Sequence, residues 1–126
     1  MRSLEGANWP EEHAGVRRQL IRLIRARRLR YGAPPKRPAR IRYLQVVNPE
    51  SGFPLTKSGM WYVIDEALDS GIPLEPVTLR RPPGERGWTF RFRLASTEPL
   101  VYVKLQIIGS HVVLRSFHYS EHDHHA

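Results

Sequence analysis

The chain has 126 residues, 40% of them apolar, and a formal net charge of +8 without a single cysteine. That length suits one domain with a sizeable core, and the missing thiols exclude disulfides, zinc–thiolate centres and cysteine nucleophiles. No apolar run is long enough to span a bilayer, and acidic residues with Trp9-Pro10 stand where a secretory leader needs an apolar stretch, so the expected location is cytoplasmic.

The charge is unevenly placed. Residues 1–42 hold twelve of the 20 basic residues and three of the 12 acids, which leaves the remainder near neutral. The basicity therefore belongs to an N-terminal arm, a candidate for contact with nucleic acid or an acidic partner. Within it, Val16, Leu20, Leu23 and Ile24 recur at helical spacing among Arg17, Arg18, Arg22, Arg25 and Arg28. The spacing predicts a basic amphipathic helix over Glu11 to Tyr31, its apolar stripe docked on the domain and its arginines in solvent. "GAPPKRPAR", Gly32 to Arg40, has three prolines and reads as a linker.

"IRYLQVV", Ile41 to Val47, predicts a short strand, and Asn48 to Gly59 a long loop. A second helix is expected from Met60 to Asp69, with Trp61, Ile64, Ala67 and Leu68 on one stripe and Gly71 placed to end it. The pattern then changes to period two. "PVTL" is a short strand, "RRPPGERG" a turn-rich loop, and "WTFRFRL" alternates Trp88, Phe90, Phe92 and Leu94 against Thr89, Arg91 and Arg93. "LVYVKLQII" alternates again before Gly109-Ser110 turns the chain into "HVVLRSFHY". The expected fold is α+β, with N-terminal helices packed on a curved antiparallel sheet of three to five strands. No glycine run follows a strand with phosphate-loop spacing.

The polar face of this meander concentrates chemistry. Lys104, Arg91, Arg93 and Arg115 supply cations, and Tyr102 and His118 can donate or shuttle protons. Arg80, Arg81 and Arg86 of the Pro-rich loop are placed to fold over its edge. Cations, aromatics and an imidazole on one sheet suit RNA, and metal-independent cleavage needs a base for the 2′-hydroxyl, cations for the transition state and an acid for the leaving oxygen. A solvated sheet face carries the same residue types without any function.

Register separates the two readings. A two-residue turn at Gly109-Ser110 would set Tyr102 opposite Phe117 and send His118 to the apolar side with Val101. A three-residue turn, Gly109 to His111, would set Tyr102 opposite His118. The histidines of the tail, His122, His124 and His125, with His118, read as a mobile polar end rather than a metal site, so neither metal nor cofactor is expected.

"VYVKLQI", a short turn and a strand ending in "SFH" resemble the C-terminal hairpin of the MqsR-type toxin ribonucleases, which belong to the wider RelE-like and barnase-like fold group. "WTFRFRL" stands in the place of that family's "WQDVYRP". The resemblance covers roughly residues 60–120. It implies helices on a curved sheet, RNA cleavage without metal, and neutralisation by an antitoxin. The family's tyrosine falls on Tyr102, its C-terminal lysine on His118, its glutamine on Thr89 and its arginine on Arg93; Arg80 or Arg81 is nearest a further lysine. The family has one fewer residue between tyrosine and lysine, which supports the three-residue turn.

The expected organisation is a basic helical arm and linker over 1–40, a ribonuclease-like domain over 41–120 and a His-rich tail over 121–126. Tyr102, His118, Lys104 and Arg93 are the expected catalytic residues. Arg91, Arg80, Arg81, Arg86 and Gln106 are expected to bind substrate. The alternative is a non-catalytic basic module that binds nucleic acid or a protein.

Overall fold

The structure, a computed structural model, describes residues 13–32, 40–80 and 83–120. Arg81, the N-terminal residues 1–12, most of the Pro-rich segment and the tail 121–126 with its three histidines lie outside the described residues. The fold is α+β. Two helices, α1 (Ala14–Arg25) and α2 (Lys57–Asp69), pack on one face of a five-stranded sheet. Its strands are β1 (Leu29–Tyr31), β2 (Glu75–Thr78), β3 (Arg86–Arg93), β4 (Leu100–Ile108) and β5 (His111–Tyr119), in the order β1-β5-β4-β3-β2. No helix among the described residues is long and apolar enough to cross a membrane.

α1 docks as its pattern requires. Leu20, Leu23 and Ile24 enter the same apolar cluster as Met60, Ile64 and Leu68 of α2 and Phe90, Val103, Leu105 and Phe117 of the sheet. Burying this shared stripe removes each large side chain from water at about 25 cal/mol per Å², which drives the helices onto the sheet. Arg17 is the buried exception. Its Nη1 donates to Leu68 O at 2.6 Å and its Nη2 to Ile72 O, so a cation sits on the carbonyl end of α2, where the helix dipole favours it. At the other end, Thr56 caps α2 by accepting from Gly59 N at 3.0 Å, so the helix begins at Lys57, three residues ahead of the expected start.

The basic helix ends earlier than its composition predicts, at Arg25 rather than Tyr31. Arg27 N bonds Ile24 O and Arg28 N bonds Leu23 O, the paired closure of a Schellman turn. The next three residues join β5 in parallel, Leu29 opposite Val112 and Tyr31 opposite Leu114. A ladder with a buried strand outweighs helix propensity there, and it makes the sheet mixed rather than purely antiparallel. The segment expected as a separate arm thus supplies a helix to the core and a strand to the sheet.

"IRYLQVV" is also not a strand. Only Ile41 bridges Phe117 and Val47 bridges Pro54, with a 3₁₀ turn over Tyr43–Gln45 between them. β2, β3, β4 and β5 fall within two residues of their expected spans. Trp88, Phe90 and Phe92 pair with Leu105, Val103 and Val101 on the helix side; Thr89, Arg91 and Arg93 pair with Lys104, Tyr102 and Leu100 on the open side.

Arg27 occupies the left-handed position of the Schellman turn, φ 61°, where glycine normally serves because it has no Cβ to collide with the carbonyl. Arg27→Gly is therefore expected to raise stability by about 1 kcal/mol in urea denaturation, with the m-value unchanged.

Candidate functional site

The β4–β5 hairpin answers the register question in an unexpected way. Ile108 pairs with His111, so the turn holds two residues, not three. Gly109 alone of its central pair has positive φ, 59°, the type II′ geometry that matches the twist of the strands. Carried along unbroken strands, that turn would place His118 on the helix side. Instead the ladder shifts between Lys104 and Leu105: Leu105 faces Leu114, Lys104 faces Ser116, and Arg115 is the extra residue of a β-bulge. Beyond the bulge Tyr102 faces His118. Val112, Leu114 and Phe117 all remain in the core, because the single insertion restores alternation below it.

Tyr102 and His118 form the centre of the open face. Their ring centroids lie 5.4 Å apart. The Arg91 guanidinium sits 4.8 Å from the Tyr102 ring centroid, a cation–π contact, and its Nε donates to Ser120 Oγ at 3.4 Å. His118 is only 9% exposed, and its Nδ1 lies 2.8 Å from Tyr119 O. A carbonyl oxygen only accepts, so Nδ1 carries the proton, and in the neutral ring Nε2 holds the lone pair of a base. Burial pushes the Tyr102 phenol above its ordinary 10.0, against the pull of Arg91 and Arg40. The phenol therefore keeps its proton at neutral pH and can donate it.

Lys104 stands one pair further along the sheet, opposite Thr89 and Ser116. Burial first, and then the like charges of Arg40, Arg115 and Arg80, lower its ammonium below the ordinary 10.5. Arg40 reaches this face because the chain returns beside β5: Phe117 N donates to Arg40 O at 2.9 Å and Arg42 N to Phe117 O at 2.7 Å. Nothing local in the sequence marks Arg40, since its place depends on the distant bridge between Ile41 and Phe117.

The other expected site residues take different roles. Arg93 shares the open face but donates from Nη1 to Glu98 O at 2.6 Å, in the β3–β4 turn. Gln106 is 2% exposed; its Nε2 donates to Glu85 Oε1 at 2.6 Å, and Arg115 Nη1 approaches its Oε1 at 3.5 Å. It tethers the β2–β3 loop to the sheet. Thr89 is buried and donates to Glu75 O at 3.4 Å. Arg86 corrects its expectation: its guanidinium lies 5.9 Å from the Trp88 ring centroid, on the helix side of β3, away from Tyr102. β3 starts two residues before "WTFRFRL", at Arg86, so alternation along it puts Arg86 on the face of Trp88. Arg80 is exposed near Lys104. Among the described residues no group of three His, Cys, Asp or Glu could hold a metal ion.

Compared with protein families, with curated proteins and with solved structures, the chain matches none.

Two outcomes follow from the geometry. Deleting Arg115 removes the bulge but preserves the faces on either side of it, so Tyr102 and His118 should stay opposed. Cross-strand amide–amide contacts between Tyr102 and His118, a hydrogen-bonded pair, in NMR spectra of the deletion variant check this. Lys104 is a charge held among like charges, its folded value depressed, so its penalty is absent above 10.5 and fully present at neutral pH. Lys104→Met should accordingly raise stability at pH 7 by no more than about 1 kcal/mol after solvent screening, a gain that vanishes as the pH passes lysine's ordinary range. Chemical denaturation of both proteins across that range measures it.

Proposed function

We propose that this protein is a metal-independent endoribonuclease that cleaves RNA by attack of the 2′-hydroxyl on the adjacent phosphodiester. The observation that carries the reading is the pairing of Tyr102 with His118 on a helix-free sheet face among Arg91, Lys104, Arg40 and Arg115. His118 Nε2 takes the 2′-hydroxyl proton as O2′ bonds to phosphorus. The Tyr102 phenol gives its proton to the departing 5′-oxygen, which leaves a 2′,3′-cyclic phosphate and a 5′-hydroxyl. Arg91, Lys104 and Arg40 carry positive charge toward the phosphoryl oxygens, where charge accumulates in the transition state. A phenol is protonated at neutral pH and burial raises Tyr102 further, so in this reading Tyr102 serves as the acid. That assigns the two roles.

The stability cost of Lys104 supports the reading. Like charges gathered on one face lower stability, and such a cluster fits a polyanionic ligand that neutralises it. A place among the MqsR-type toxins, neutralised by an antitoxin in the cytoplasm, rests on "VYVKLQI" and "SFH" alone. Arg93 and Gln106, tied to Glu98 and Glu85, act in this reading as supports of the site's edges rather than as reacting groups.

Incubation of structured and unstructured RNA with the protein in EDTA tests the proposal. Cleavage should leave cyclic phosphate ends, His118→Ala and Tyr102→Phe should each lower the rate by about 10²-fold or more, and both variants should still bind RNA. Cleavage that survives both substitutions removes the assigned roles. Binding without cleavage of any RNA leaves the non-catalytic module.

A further inference from the structure

The Tyr102–His118 centre is one end of a longer feature. β1 and the Arg40–Arg42 segment lie along the same edge of β5, the first opposite Val112 to Leu114 and the second beside Phe117. Tyr31 turns to the helix side, where its hydroxyl accepts from Trp61 Nε1 at 2.8 Å, and Ile41 packs against the core. Period-two alternation therefore turns Arg30, Gly32 and Arg40 to the open side. Arg115, the bulged residue, lies flat across Gly32: a Cβ there would stand 3.1 to 3.3 Å from its Cδ, Nε and Cζ. A larger residue there would make Arg115 give by a few tenths of an ångström. At the far end Arg28 Nη1 reaches Ser110 Oγ at 3.4 Å, in the β4–β5 turn.

Neither β1, β5 nor the Arg40–Arg42 segment contains a carboxylate. Glu75, on β2 and opposite Thr89, lies on the open face at the Tyr102 end, where its charge helps to raise the phenol, and Glu85 is held by Gln106. Burial first, and then the charges of Arg30 and Arg28, keep the His111 imidazole below its ordinary 6.5. From His118 to His111 the edge runs about 23 Å at roughly 3.3 Å per residue.

We infer that this edge is a phosphate track, along which a single-stranded polynucleotide runs from the Tyr102–His118 centre past Arg40, Arg115 and Arg30 to Arg28 at the hairpin turn. A single line of cations along one sheet edge matches one backbone, not the two of a duplex, and lets bases point away or stack freely. In-line attack at the centre likewise needs a ribose free of helical constraint. The track takes its starting point from the proposed cleavage site, but it is a claim about binding and stands without the chemistry.

The test uses fluorescence anisotropy with single-stranded DNA, which lacks the 2′-hydroxyl and cannot be cleaved by the proposed route. The wild-type protein should bind an eight-nucleotide strand roughly tenfold or more tighter than a three-nucleotide one. In Arg28→Glu/Arg30→Glu that advantage should fall below about threefold, and the dependence of log K on log salt should flatten by about 1.4, two phosphate contacts at roughly 0.7 each. Arg18→Glu/Arg22→Glu makes the same charge change on the exposed face of α1 and should leave the eight-nucleotide affinity unchanged. All three proteins are compared by thermal melting, so that loss of fold is not mistaken for loss of binding. An unaltered length advantage in Arg28→Glu/Arg30→Glu overturns the track. So does an equal loss in the α1 variant, tighter binding of duplex, or equal binding of polyglutamate of the same charge, which would make the edge a site for an acidic protein. Failure of RNA cleavage with the length advantage intact removes the enzyme reading and leaves the track standing.

Discussion

The antiparallel pairing of β4 with β5 decides which side chains meet the helices and which meet solvent. Both strands are central, and both carry apolar residues that must face α1 and α2. β5 has one residue too many for that. With a two-residue turn, both Phe117 and His118 would land on the wrong side unless the ladder breaks. It breaks at Arg115, where the extra residue is long, charged and able to lie across Gly32 toward solvent. Core demand fixes the need for a bulge; the chemistry of the inserted residue makes it tolerable. Every feature of the open face, from the Tyr102–His118 pair to the placement of Lys104, inherits its position from this one irregularity.

The helical layer is arranged to hold that sheet without covering its other face. α1 and α2 fasten to one another through Arg17, whose buried guanidinium satisfies the carbonyls closing α2, and through the Arg25–Asp65 pair at 2.9 Å, an exposed bridge of small net worth. Asp65 and Asp69 of α2 lie near Arg25 on this layer. The sheet's open face is left with a cationic excess.

That surface has a cost. Lys104 is partly buried beside cations rather than carboxylates, and its ammonium is lowered as a result. A fold selected only for stability has no use for this arrangement, since like charges at close range repel and desolvation adds to the penalty. A ligand bearing several negative charges removes the repulsion on binding. Gln106 and Glu85 show the opposite case: there a polar side chain is buried with its partner in place, and the β2–β3 loop is fastened by it.

Much of the fold was legible in the sequence. Alternation in "WTFRFRL", "LVYVKLQII" and "HVVLRSFHY" located three strands within two residues and divided their faces, because the period of a strand is a local property. The apolar stripes of α1 and α2 were equally plain. Local pattern failed where the partner was distant: Leu29–Tyr31 continues a helical composition yet becomes a strand on β5, and "IRYLQVV" lost its strand to a single bridge at Phe117. Tyr102 and His118 could be named as a candidate pair, but not placed together. "VVL" is apolar on both faces, so the sequence allowed the extra residue to sit in the turn or in the strand. The sequence by itself determined the alternating strands, the docking stripes and the candidate pair. Only the tertiary structure decided that the pair meets, since the core's claim on Leu114 and Phe117 together forces the bulge to Arg115.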